Sequence, residues 1–120
     1  DRSVSRGLGD VYKRQDHGIY CGSLPKRDAA YHQGTSWGFL MGGFLTAYMK
    51  VHHHSPEAKK QAMAYLAPVQ THLLEEGCIG SISEIFDGDA PHTCRGCYAQ
   101  AWSVGEILRC YTQDIQKNQK

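Results

Sequence analysis

Apolar residues at Trp37, Leu40, Met41, Phe44, Leu45 and Tyr48 recur at i, i+3, i+4, i+7, i+8 and i+11, the spacing of one buried helical face. Thr35 or Ser36 is placed to cap that helix. Gly38, Gly42 and Gly43 weaken it intrinsically but let a second backbone come close, so its stability must come from packing. A second stripe runs through Ala62, Tyr65, Leu66, Val69 and Leu73. Its start is marked by Ser55 as N-cap, Pro56 at the first helical position and Glu57 at the positive end. Gly77 is placed to end it, and Pro68 is expected to kink or divide it near residues 65–67. A third stripe, Ala101, Val104, Leu108, Tyr111 and Ile115, predicts a helix from about residue 98 or 99 to Ile115. No segment alternates with period two, so no strand is expected beyond short extended pairing around residues 79–82. The pattern predicts an all-α chain of about three long helices.

Composition narrows the function classes. The hydrophobic content of 41% is ordinary for a globular protein, and a net charge of +1 with a pI near 7.8 gives no electrostatic reason for nucleic acid or an anionic membrane as partner. The longest apolar run, residues 39–48, is interrupted by Gly42 and Gly43, so no transmembrane span is expected. Five cysteines without a secretory signal suit free thiols in a reducing cytoplasm. Cys94-x-x-Cys97 lacks the two further ligands that a zinc site needs, and His92 lies too close in sequence to serve as a third. No metal and no cofactor is expected. His52, His53 and His54 suit a helix C-terminus through the dipole, without a metal.

The chemistry concentrates in two stretches. The loop from Gly80 to His92 places Glu84, Asp87 and Asp89 within six residues and runs into the last helix, with Arg95, Gln100 and Trp102 close behind. Carboxylates beside an indole and an amide suit sugar cleavage, with acid–base work at the glycosidic bond, an aromatic face on the ring and an amide reading hydroxyls. Asp87-Gly88 is also an ordinary turn signal. Glu84 lacks that explanation, since it stands between Ile82 and Ile85-Phe86. Arg95 is a candidate partner for the loop carboxylates or a sugar hydroxyl. In the second stretch, residues 27–38, His32 and Gln33 can each donate and accept hydrogen bonds. Trp37 serves equally as core residue or stacking platform, and Trp102 as contact or wall.

Together, Arg27-Asp-Ala-Ala-Tyr-His-Gln-Gly-Thr-Ser-Trp-Gly-Phe-Leu40 and the run from Glu84-Ile-Phe-Asp-Gly-Asp to Ile107-Leu-Arg109 resemble the C-terminal end of the amylo-α-1,6-glucosidase domain of glycogen debranching enzymes. The resemblance covers about residues 20–111. Gly38 and Phe39 depart from it, standing where the family usually has Pro and Trp. It implies an (α/α)6 toroid, of which this chain is a C-terminal fragment, and hydrolysis of α-1,6-linked glucose at branch points of glycogen limit dextrin with inversion. Inversion needs an acid and a base carboxyl roughly 6.5–9.5 Å apart. The stretch from Gly80 to Glu84 further resembles the base-bearing segment of glucoamylase-type barrels, so the base is expected at Glu84, with Asp89 as rival and Asp87 third. The acid is expected upstream of residue 16, in a missing N-terminal part of the same chain. His32, Gln33, Trp37, Asp87, Arg95, Gln100 and Trp102 are the expected substrate contacts.

Residues 1–15 resemble a translated sequencing-adapter read-through and are set apart as a leader. Residues 16–116 are then the glucosidase part and 117–120 a tail. A fragment of a toroid should expose apolar surface and be marginal alone. The alternatives are another (α/α)6 hydrolase of glucoamylase or trehalase type, or a non-catalytic helical glycan-binding module.

Overall fold

A computed structural model of the chain describes residues 17–116; the proposed leader and tail lie outside these. The chain is mostly helical. Helix α1 covers Leu24–Tyr31, α2 Leu40–Val51, α3 Pro56–Glu75 and α4 Ala101–Cys110, and a π-helical turn, Tyr111–Ile115, continues α4. Three two-residue strands, β1 (Ser36–Trp37), β2 (Ile85–Phe86) and β3 (Cys94–Arg95), form one antiparallel sheet in that order.

The ends of α3 follow their local signals. Ser55 Oγ accepts the Ala58 amide at 3.1 Å, Pro56 opens the helix, and Gly77 follows its end at φ +56°, a conformation suited to glycine. The helix continues through Pro68 rather than dividing there. Helix α2 begins three residues later than its apolar stripe suggests, because Ser36 and Trp37 pair with Phe86 and Ile85 instead. Neither Thr35 nor Ser36 caps it: the Thr35 hydroxyl donates to Ala30 O at 2.8 Å, and Phe39 stands at the N-cap. The extended pairing therefore lies at 85–86, with partners on both sides, and not at 79–82. Helix α1 has only Ala30 buried, so it carries no stripe by which periodicity finds it.

Leu45 and Met49 of α2, Ala58, Ala62 and Leu66 of α3, Cys110 and Ile115 form the core. Helix α4 packs with a face turned away from the expected stripe: Ser103 and Cys110 are buried while Leu108 is exposed. The cause is close approach. A Cβ on Gly42 would lie 2.8 Å from both Cβ and O of Glu106, and one on Gly38 3.0 Å from Ser103 Oγ. Gly42 of α2 and Gly38 just before it let α4 come close on its Ser103–Glu106 side. Arg109 bonds Glu106 and Asp114 on its own side and the Thr46 hydroxyl of α2, which in turn donates to Asp114. Among the described residues no helix is long and apolar enough to cross a membrane.

Candidate active site

The sheet carries the segment around Glu84. Beyond the β1–β2 pairs, the Gly38 amide donates to Glu84 O at 3.0 Å, and the Glu84 amide donates to Cys97 O at 2.8 Å. Its half-buried carboxylate receives two donors: the Tyr31 hydroxyl at 2.7 Å on Oε1 and the Cys97 amide at 3.1 Å on Oε2. Gly96, at φ +68°, makes room for this seat, since a Cβ there would fall 2.6 Å from Glu84 Oε2. Burial first, then the hydrogen bond and negative charge of Glu84, push the Tyr31 phenol up to about 12.

Tyr31 joins Glu84 to an aromatic cluster. Its ring meets Trp37 edge-on at 4.6 Å and His32 at 4.9 Å. His32 and Trp37 lie parallel, 4° apart in plane and 5.3 Å between centroids, and the Trp37 indole N–H donates to Tyr31 O at 3.0 Å. Trp102 from the start of α4 adds a ring 6.1 Å from Trp37 and 5.0 Å from Phe39. His32, Trp37, Phe39 and Trp102, with Leu40, line an open pocket of about 270 Å³. Of the expected substrate contacts, His32, Trp37 and Trp102 share one cavity.

The remaining expected residues sit elsewhere. Gln33 closes the end of α1 through its backbone, and the Gln100 amide donates to Ile82 O at 2.9 Å; neither side chain is a wall of the pocket. Asp87 is buried, and Arg95 grips it with Nε and Nη2 at 3.2 and 3.0 Å on Oδ2. The Tyr20 amide donates to its other oxygen at 2.8 Å. This pair ties the segment before α1 to β3 across the sheet, and its mutual bonds push the Arg95 guanidinium pKa up. Asp89 is exposed; its amide donates to Gly18 O at 3.0 Å, and its carboxylate covers the Gly18 Cα. Sequence reasoning missed Tyr31 as a partner of Glu84, although it lies inside the Tyr31-His32-Gln33 run.

Among the described residues, His72, Glu76 and Cys94 bring donor atoms within 4.8 Å of one another. The chemistry of the imidazole argues against a metal there. Nε2 accepts the Ser83 amide at 3.1 Å, so Nδ1 bears the proton and donates to Glu76 Oε2 at 3.0 Å. A cation on Nδ1 would put a proton on Nε2, facing the Ser83 N–H. Cys97 does not join the trio; its thiol bonds Ala99 O. All five cysteines are free.

A mostly helical body with a carboxylate seated beside an aromatic pocket has the character of a glycoside hydrolase-like domain. The family model for Amylo-alpha-1,6-glucosidase matches residues 10–109, and the chain belongs to that family. No curated protein and no solved structure matches it.

Proposed function

We propose that this chain forms the base side of an inverting α-1,6-glucosidase site acting on the branch points of a glycogen limit dextrin, with Glu84 as general base. The observation that carries the reading is the seat of Glu84: two donors fix its carboxylate, and one of them, Tyr31, packs on the Trp37 wall of the pocket. A glucosyl ring stacks on the exposed aromatic faces while Glu84 takes a proton from the attacking water. A second carboxyl protonates the leaving oxygen. Asp87 is the weaker candidate because it is buried and held in an ion pair with Arg95, whereas the donors on Glu84 are a neutral phenol and a backbone amide. Asp89 remains the rival, being exposed.

In the active enzyme that contains this chain, Glu84→Gln should lower turnover on limit dextrin by on the order of 10²–10⁴-fold with a much smaller change in substrate binding. Near-normal turnover in Glu84→Gln, with loss in Asp89→Asn, would assign the base to Asp89. A non-catalytic glycan-binding module is the second reading, favoured by pocket walls that hold no carboxylate among the described residues. Isomaltose quenching of Trp37 and Trp102 fluorescence, with turnover indifferent to both substitutions, would select it.

A further inference from the structure

His72 is buried on α3, 11 residues from Ser83, and is not a wall of the aromatic pocket. Every side of its ring is nonetheless occupied. Nε2 takes the Ser83 N–H at 3.1 Å, Nδ1 faces Glu76 Oε2 at 3.0 Å, and the Phe86 ring stands edge-on at 4.9 Å. Cε1 lies 3.3 Å from where a Gly77 Cβ would be, so glycine at that turn admits the ring. The Cys94 thiol of β3 completes the surroundings. A backbone N–H only donates, which leaves one neutral tautomer: proton on Nδ1, lone pair on Nε2. Exposed Glu76 selects that tautomer from outside, and Ser83 uses it inside.

The strand segment so held is the one that carries Glu84. The neighbouring Glu84 is bonded from other directions: its N–H donates to Cys97 O and its carbonyl accepts the Gly38 N–H. The Ser83 amide hydrogen-bonds this segment to α3, beside the ring contact of Phe86 with the same His72. We propose that His72 is a positioning residue: its Nδ1–H imidazole, oriented by Glu76, anchors Ser83 and so sets where the Glu84 carboxylate meets Tyr31. The consequence for turnover rests on Glu84 as base; the anchor does not.

The test uses this chain and reads three signals: ring ¹⁵N shifts of His72, hydrogen exchange of the Ser83 amide, and the Tyr31 ¹³Cζ shift, which reports its bond to Glu84. Wild type should show the Nδ1–H tautomer. His72→Phe keeps a ring but offers no acceptor, so Ser83 exchange should rise about tenfold, the scale of one lost buried hydrogen bond, and the Tyr31 signal should move. Gln at 72 places an amide oxygen near the position of Nε2. His72→Gln should restore Ser83 protection to within about twofold of wild type and return the Tyr31 signal. Glu76→Ala, at an exposed site, should mix the tautomers and raise Ser83 exchange without unfolding the chain, which keeps the idea testable if His72→Phe fails to fold. An Nε2–H tautomer in wild type, or a Tyr31 signal unmoved while Ser83 exchange rises, overturns the proposal. Full activity of Glu84→Gln in the complete enzyme would remove the base reading and leave these three measurements as they stand.

Discussion

Tyr31 and Glu84 make a pair whose protonation is linked to folding. The folded phenol titrates near 12, whereas an unfolded tyrosine titrates near 10. A raised folded value means that the folded state keeps a proton which the unfolded chain has released. The contribution is therefore complete below about pH 10 and is lost as pH rises from there towards 12. Chemical denaturation across that range should show stability falling, and Tyr31→Phe should flatten the fall. The same slope in both proteins would mean that another group causes it. At Asp87 the sequence offered a turn residue; the hydrogen-bonded turn runs instead from Asp89 to His92, and the burial of Asp87 and the grip of Arg95 were not readable from it. An ion pair across a sheet depends on which strands meet, and neither strand is long enough to announce itself.

At the scale of elements, legibility tracked the distance over which the deciding contact acts. Helix α3 was readable because Ser55, Pro56, Glu57 and Gly77 act within a turn of its ends. The start of α2 was not, because Ser36 and Trp37 are claimed by partners in the 85–86 strand, far along the chain, and a two-residue strand has no period to detect. The site divides in the same way: the motifs placed His32, Trp37 and Trp102 in one pocket, whereas the Tyr31–Glu84 bond needed the sheet. The glycines of α2 give a sharp test of packing against propensity. Gly43 has nothing within 4 Å of an added Cβ, so Gly43→Ala should stabilise by about 0.5–1 kcal/mol through helix propensity alone. Gly42→Ala earns the same local gain but drives its methyl into the Glu106 backbone oxygen at 2.8 Å. Overpacking of this kind costs about 1–3 kcal/mol, so the sign should reverse. Thermal denaturation of the two variants decides it; stabilisation by both would mean that α4 yields readily.

The described residues leave much apolar surface uncovered. Leu40, Phe44, Leu74, Trp102 and Leu108 are each about half exposed or more, in accord with the expectation that the chain presents apolar surface. Its cohesion comes from α2, against which α4 and the π-helical turn both pack.

That turn holds one residue more than the helix requires. Cys110 and Ile115, five apart, are both buried in the core, whereas an α-helix brings residues four apart to one face. The Gln116 amide reaching Tyr111 O at 2.8 Å marks the widened loop of backbone. Removing exposed Gln113 converts a spacing of five into four and lets an ordinary helix present Ile115 to the same core. The melting temperature should change by no more than a few degrees, about the effect of 1 kcal/mol in a domain of this size. Removing exposed Gly105 shortens a stretch with no residue to spare. It swings Cys110 and everything after it by about 100°, so cooperative melting should be lost. The slack in this chain is local, and length can be trimmed only where the helix is already overwide.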